Sequence, residues 1–482
     1  MQTYLFYDLE TTGLDRAFDQ PLQFAAIRTD PQLAELERYD LAVRLRPDVV
    51  PAPEAVLTHR LGPPAMVQGR SEYDAVGQIH ALLNRPGTIS IGYNSLGFDD
   101  ECLRFAFYRN LLAPYTHQFR NGCGRMDLLV FAAVWRLFKP GALQWPQREG
   151  RPSLRLEDLN RLNRLGQGRA HTALADVEAL LGLARRLRVD TEIWDYLSRR
   201  FDKAEDREQV RRIPVVLTHD QTDCRLALLV SSEFGASADH MAPALSLGPS
   251  KPYANQRLWL RLDHPDLERA APEDVEHTSR VVRKKYGEPP LVLPPLERYW
   301  QRLEPARRDL ARTNLERLGR DRRLLEALIA HHRAWQYPDV PRVDADAALY
   351  REGFWSDADQ RRFERFHRTG PVEGIAQIAA FEASSARTLA RRVVFRNFPA
   401  PHAPEVEHAW QQYARRIDPP RDDLAPVDHR GRPRRTPASA RGRIRSLLAE
   451  AERSSEDRCL LEALDAFIAE RFAAPSTRGG SA

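Results

Sequence analysis

The sequence predicts an α/β fold that opens on a mixed sheet with helices on its faces, continues into a smaller β-rich segment and ends in helices. Three observations carry this. Short β-rich runs come first, helical periodicity is interleaved with them over the first 190 or so residues, and the apolar spacing is helical again from about Leu296 onward. The first strand runs from Thr3 to Tyr7 into Asp8, and after the turn signal Thr12-Gly13 a second apolar run spans Leu22 to Ile27. In the third, Tyr39, Leu41, Val43 and Leu45 alternate with Asp40, Ala42, Arg44 and Arg46, the period of two of a strand with one wet face. A helix is expected over Glu72 to Leu83 and a strand over Thr88 to Gly92. Helices are then expected at Asp100 to Leu111, Met126 to Phe138, Leu154 to Asn163 and His171 to Leu187.

The charged stretch Arg199 to Arg212 reads as a linker. Beyond it Val215 to Leu217, Leu226 to Val230 and Leu258 to Leu260 are short strand candidates separated by Gly, Pro and Ser. The segment Tyr337 to Pro341 marks a boundary, after which a helical region carries an arginine-rich insertion, and Ala473 to Ala482 reads as a disordered tail. The expected domains are 1–192, 193–338 and 339–482, since 482 residues are too many for one core.

With 42% hydrophobic and 29% charged residues the chain has the composition of a globular protein. No apolar run is long enough for a membrane span, and Met1 to Glu10 carries Asp8 and Glu10 where a signal peptide would be basic, so a cytoplasmic location is expected. Cys102, Cys123, Cys224 and Cys459 lack any short paired spacing, which argues against a thiolate zinc site or a disulfide framework. The net charge of +5, from 72 basic and 67 acidic residues, does not by itself indicate a polyanionic partner. Two clusters remain open either to phosphate contact or to a solvated loop: Arg280, Arg283, Lys284 and Lys285, and the stretch Arg430 to Arg445, with seven arginines and no acid.

The sharpest local signal is Asp8-Leu9-Glu10-Thr11-Thr12-Gly13. Residues two apart on a strand share a face, so Asp8 and Glu10 converge. Carboxylate ligands suit a hard cation such as Mg2+. Alone the pair reads more readily as a surface turn, but Asp99 in Gly92-Tyr93-Asn94-Ser95-Leu96-Gly97-Phe98-Asp99 and Asp176 in His171-Thr172-Ala173-Leu174-Ala175-Asp176 add two further acids. Four carboxylates can hold two cations, and a pair about 4 Å apart is suited to phosphodiester hydrolysis. An imidazole is the natural proton acceptor for the attacking water, which makes His171 the candidate base.

Asp8-x-Glu10, Asn94-x-x-x-Phe98-Asp99 and His171-x-x-x-x-Asp176 resemble the three motifs of the DEDDh exonuclease superfamily. The tyrosine variant would carry Tyr where Thr172 stands. The resemblance implies a ribonuclease H-like fold for the first domain. It implies that Asp8 bridges both metals, that Glu10 and Asp176 complete one site and Asp99 the other, and that His171 is the general base. Two Mg2+ ions, replaceable by Mn2+, are the implied cofactors.

Further strings are similar to the bacterial exonuclease I family: Gln144-Trp145-Pro146, Pro152-Ser153-Leu154-Arg155-Leu156-Glu157, Phe234-Gly235-Ala236, Gly353 to Asp359, and Phe395-Arg396-Asn397-Phe398-Pro399. This resemblance covers nearly the whole chain, strongly over 1–190 and in islands later. It implies a middle barrel of the Src-homology-3 type and a helical third domain that close a groove over the strand. It also implies processive 3'→5' digestion of single-stranded DNA to 5'-mononucleotides, in DNA repair and recombination. Arg155 is implied to contact the terminal nucleotide, Glu10 and Thr11 its sugar and 3'-hydroxyl, and Arg104, Tyr115 and Phe119 the strand's path. Single-stranded DNA, the C-terminal tail of the single-strand binding protein and a monomeric, membrane-free state complete the expectation. From residues alone, Arg155 is also able to pair with Glu157 or Asp158, Tyr115 to sit in a plain turn after Pro114, and Phe119 to be core. The rival functions are a DEDDh exoribonuclease, since no acid here senses a 2'-hydroxyl, and a single-strand-binding scaffold with a dead site. The segment Asp418 to Arg445 is longer and more basic than the family leads one to expect, and only five lysines occur, at Lys139, Lys203, Lys251, Lys284 and Lys285.

Overall fold

The computed structural model describes residues 2–166, 172–398 and 402–472. Five strands, β1 (Thr3–Thr11), β2 (Pro21–Thr29), β3 (Glu35–Ala42), β4 (Thr88–Gly92) and β5 (Gly124–Asp127), form a sheet of order β3-β2-β1-β4-β5. β1, β2 and β3 are antiparallel neighbours, whereas β4 lies parallel to β1 and β5 parallel to β4. β5 was not expected: Met126 and Asp127 end a strand, and the helix is Leu128–Phe138, because Asp127 caps it by accepting from the Leu129 N–H (3.0 Å). Arg46, placed on the wet face by alternation, is instead 2% exposed and ion-paired to Glu72.

The pleat of β1 sends Leu5, Tyr7 and Leu9 into one core with Val76, Ile79, Leu103 and Phe107. Phe6 goes to the opposite core, with Val177, Leu180, Leu181 and Ala184 of the helix Ala173–Leu187. Both faces of the sheet are therefore covered, and Asp8 and Glu10, two and four residues beyond Phe6, share the face on which that later helix packs.

The expected linker is no linker. Asp202 caps a helix, Lys203–Arg212, by accepting from the Ala204 (2.8 Å) and Glu205 (2.9 Å) N–H groups. Val210 of that helix is fully buried, and Asp206 pairs with Lys284. A two-residue hairpin, β6 (Gln147–Arg148) and β7 (Arg151–Pro152), precedes it. Six strands follow: β8 (Val215–His219), β9 (Thr222–Val230), β10 (Met241–Pro249), β11 (Gln256–Arg261), β12 (Val281–Lys285) and β13 (Leu291–Leu293). They form an antiparallel sheet of order β12-β11-β10-β9-β13 with β8 on β9. Among the described residues no pairing closes this sheet into a barrel. β10, β12 and β13 escaped the sequence reading, β12 because its inward Lys284 masks the alternation. That lysine is fully buried against Asp206, so this member of the first basic cluster is not a phosphate contact.

After the helices Pro305–Arg320 and Arg322–Ala334, the remaining helices fold back onto the first sheet. Pro437–Leu448 and Ser455–Arg471 pack Ala440, Ile444, Leu447, Leu461 and Leu464 against Leu22, Leu45, Val49 and Val56. The second basic cluster also turns inward in part. Arg434 meets buried Asp48 and Arg435 meets buried Asp19, whereas Arg441 meets Asp465 at 2.9 Å and Arg443 meets Glu54 nearer the surface. The Ala473–Ala482 tail lies outside the described residues, and no helix within them is long and apolar enough to cross a membrane.

A buried ion network seals this contact. Asp48 (0% exposed) accepts from Arg396 at 2.7 Å and from Arg434, while Arg396 also grips Asp346 and Arg392 grips Asp344. On the sheet side Arg46 and Arg109 share Glu72 at 2.9 and 2.8 Å. Removing one partner from such a network strands the others without solvent. Asp48→Ala should therefore destabilise the protein by about 3–5 kcal/mol, measured by urea unfolding. A loss below about 1 kcal/mol would mean that Arg396 and Arg434 are compensated elsewhere.

Candidate active site

β1 pairs with β4 only from Thr3 to Phe6, so its last residues run past the neighbouring strand, and Asp8 lines a cleft of about 670 Å³ with Glu10 on the same face of β1. Asp176, in the first turn of the helix Ala173–Leu187, enters the same cleft; Thr172 caps this helix by accepting from the Ala175 N–H (3.3 Å). One carboxylate oxygen from each of Asp8, Glu10 and Asp176 lies within 4.8 Å of the others. Gly182 of the helix that carries Asp176 lets the segment that follows the helix Leu156–Asn163 pack directly on it: a Cβ there would stand 2.0 Å from the Leu165 carbonyl oxygen.

Asp99 arrives by a different route. After β4 the chain turns sharply at Gly92, where a Cβ would meet Ser95 at 2.3 Å, and passes through a left-handed Asn94 (φ 59°). Asp127 then pins this loop, accepting from the Asn94 (2.8 Å) and Leu96 (3.3 Å) N–H groups. The helix Asp99–Arg109 begins at once, so Asp99 lies in its first turn, where a carboxylate is favoured. Its neighbour Asp100 has the opposite fate. Burial acts to raise its pKa, but Arg125 (2.6 Å), Arg104 (2.8 Å) and His117 (2.9 Å) outweigh this and hold it well below the carboxylate range. Asp99 lacks such neighbours and is pushed up by burial and then by Asp127 and Glu10, against the pull of its own backbone N–H.

The other acids are raised too. Burial and then Asp99, Glu10 and Asp176 push Asp8 well up, and burial with Asp176 brings Glu10 to about 7. Carboxylates so placed repel one another unless they share protons or a cation. An all-oxygen donor set of this kind fits a divalent metal, held by Asp8, Glu10 and Asp176, with Asp99 beside them.

The remaining expected residues divide. Arg155 is exposed at the start of the helix Leu156–Asn163 and lines the cleft. It forms no ion pair among the described residues, because Asp158 is taken by Ser153 (2.6 Å) and Arg161 (2.8 Å). Thr11 is buried and its hydroxyl donates to the Gly13 carbonyl at 2.8 Å. Arg104 is 4% exposed and committed to Asp100. Tyr115 is half-buried, edge-on to Phe354 at 5.7 Å, and Phe119 is 64% exposed, so neither belongs to the core. His171 lies outside the described residues. Sequence reasoning missed Asp127, whose place before the apolar run Leu128–Phe138 is an N-cap signal, and the exposed Phe354. It also missed Ser232 and His240, which bring the second sheet's loop to the cleft wall.

A mixed sheet with β1 central, carrying carboxylates from β1 and from a later helix into one cleft, is the arrangement of the ribonuclease H-like exonucleases, and this protein is of that class. Residues 5–184 match the family model described as Exonuclease, and residues 343–471 match that of the Exonuclease I C-terminal domain. The exodeoxyribonuclease I of Escherichia coli (strain K12) is 28% identical over 440 residues, covering 87% of this chain and 90% of that protein. The zinc-bound form of the E. coli exonuclease I complex with single-stranded DNA superposes with a TM-score of 0.80 at 26% identity, covering 98% of this chain and 99% of that one. A structure of SSB/exonuclease I with an inhibitor gives 0.77 at 26% identity, covering 98% and 100%. The chain belongs to the exonuclease I family of exodeoxyribonucleases.

The acid cluster has a measurable signature in metal-free protein. Glu10 titrates near 4.5 when unfolded and about 7 when folded, so the folded state holds the extra proton between these values. Its contribution to stability is present below about pH 4.5 and lost as pH rises through 7. In EDTA at pH 8, Glu10→Gln should raise the melting temperature, by roughly 2–4 °C for each ~1 kcal/mol of repulsion relieved. Mg2+ should stabilise the wild type more than this variant. A variant that melts at or below the wild type in EDTA would show that the Glu10 charge is not under strain.

Proposed function

We propose that the protein is a 3'→5' exonuclease that degrades single-stranded DNA processively to 5'-mononucleotides in the cytoplasm, in DNA repair and recombination. The observation that carries this is the convergence of Asp8, Glu10 and Asp176 within 4.8 Å in a cleft lined by an uncommitted Arg155. The DNA complex of the E. coli relative, which shares the architecture over 98% of this chain, supports the substrate. In this reading residues 1–192 form the exonuclease domain, 193–338 the domain built on the second, open antiparallel sheet in place of the expected closed barrel, and 339–482 the helical domain.

Two Mg2+ ions, with Mn2+ able to substitute, would supply Lewis-acid polarisation of the scissile phosphate and activation of the attacking water. Asp8, Glu10 and Asp176 would hold one ion, and Asp99 would serve the other together with Asp8. His171 accepts the water's proton, an assignment that rests on its place five residues before Asp176. Arg155 contacts the terminal nucleotide, and Glu10 and Thr11 hold its sugar and 3'-hydroxyl. Tyr115 and Phe119 offer ring faces to unpaired bases, with Arg104 fixing the Tyr115 ring from 5.9 Å. The SSB/exonuclease I structure supports the single-strand binding protein as a partner; in this reading its C-terminal tail is the segment that docks, and the enzyme is a monomer.

End-labelled DNA and RNA oligonucleotides, single- and double-stranded, decide the matter. Loss of mononucleotides from the 3' end of single-stranded DNA in Mg2+, abolished by EDTA, is expected. Release from the 5' end first, or preference for RNA, overturns the reading. Asp8→Ala and Asp176→Ala should each remove nearly all turnover with strand binding retained, while His171→Ala should cost about 10²–10⁴-fold in single-turnover rate and flatten its rise with pH. A His171→Ala enzyme with the wild-type acidic limb would place the base elsewhere.

A further inference from the structure

The arginine-rich stretch 430–445 is not explained by strand binding, and one of its members reaches the active-site strand from the far end of the chain. Arg435 Nη1 donates to Asp19 Oδ1 and to the Val50 carbonyl, both at 2.9 Å, and its Nη2 lies 3.4 Å from Asp19 Oδ2. Asp19 is 3% exposed. Its Oδ1 also accepts from the Thr12 hydroxyl (2.8 Å), and its Oδ2 from the Asp15 N–H (2.9 Å). Thr12 is fully buried and accepts from the Gln20 N–H at 3.1 Å, and its own N–H donates to the Gln20 carbonyl at 3.0 Å. The loop between β1 and β2 is thus closed on Asp19, and Arg435 locks the closure from outside.

The same contact explains a glycine. A Cβ on Gly13 would stand 2.5 Å from Asp19 Oδ2 and 2.6 Å from Arg435 Nη2, so the guanidinium is packed against the backbone that continues from Glu10 and Thr11. The β1–β2 register slips between Glu10 and Thr11, which leaves this end of β1 less fixed by strand pairing than the rest. A side chain that clamps the following loop therefore acts where the ladder does not.

We propose that Arg435 is a positioning residue for the 3'-end site: through Asp19 and Thr12 it fixes the end of β1 that presents Glu10 and Thr11. The consequence is that the site is completed only when the C-terminal helices are docked. The arginine-rich stretch is then a brace for the catalytic strand. The inference rests on the reading of Asp8, Glu10 and Asp176 as the metal site.

The test uses the full-length protein and two readouts: binding of Mn2+ alone, followed by electron paramagnetic resonance, and single-turnover cleavage of a dT oligonucleotide at saturating Mg2+. Arg435→Ala should weaken Mn2+ binding by ~10-fold and slow cleavage by about 10- to 10²-fold, with KM for the strand changed less than about twofold. Arg435→Lys, which keeps a charge on Asp19 but lacks the second nitrogen that faces Asp19 Oδ2, should recover most of the rate. Asp19→Ala combined with Arg435→Ala should be no slower than Asp19→Ala alone. Arg443→Ala, from the same stretch but paired with exposed Glu54, should match the wild type. If Arg435→Ala fails to fold, Asp19→Asn weakens the same link from the other side and should lower both readouts. A folded Arg435→Ala, or in its place Asp19→Asn, with wild-type rate and Mn2+ affinity overturns the proposal, as do effects of Arg435 and Asp19 that multiply. If the wild type leaves the oligonucleotide intact, the proposed function fails while the Mn2+ comparison still tests the brace.

Discussion

Mutual repulsion among carboxylates at the end of β1 is the constraint on which the rest of this structure depends. Asp8, Glu10 and Asp176 crowd within 4.8 Å, with Asp99 adding its field, and burial removes the water that would screen them. A fold cannot relax this by letting side chains swing away without losing the site. It holds them by backbone instead: alternation on a central strand for Asp8 and Glu10, and helix first turns for Asp99 and Asp176. Helix N-termini are where an extra negative charge is best tolerated.

Neutralisation elsewhere is selective. Asp99 and Asp100 are adjacent, yet three basic side chains surround Asp100, while the largest charges acting on Asp99 are the carboxylates Asp127, Glu10 and Asp100. One carboxylate is committed to structure, holding the loop of His117 and the strand of Arg125, and the other is left available to a cation. The distinction is invisible in composition, since both are buried aspartates at the start of one helix.

The arginines show the same economy of placement. A chain with 72 basic residues and a cleft for a polyanion invites the assumption that the basic clusters face DNA, but Lys284, Arg396, Arg434 and Arg435 face carboxylates inside the protein. Guanidinium groups suit such joints because a planar fork can satisfy two acceptors at once, as Arg435 does with Asp19 and Val50. The result is a molecule in which the C-terminal helices are fastened to the first sheet by polar contacts around Asp48 and Asp19 and by apolar ones around Leu22 and Val56.

The sequence by itself determined the carrier strands and helices of the site. Period-two spacing put Asp8 and Glu10 on one face, and helical periodicity placed Asp176 and the helix Glu72–Leu83 correctly. These are local properties, fixed by backbone geometry within a few residues of the side chains concerned. What was not legible depended on partners distant in the chain. β12 was hidden because Lys284 is neutralised by Asp206, and the helix Lys203–Arg212 read as a linker because its buried partners lie in the second sheet. Asp100 carried no local mark of its task, Asp127 offered only an N-cap position and no sign that it also pins the Asn94 loop, and Asp158 was withdrawn from Arg155 by the competing claims of Ser153 and Arg161. The energy of a buried charge is set by which opposite charge the tertiary fold brings to it. A single sequence lists the charges, and only the folded chain assigns their partners.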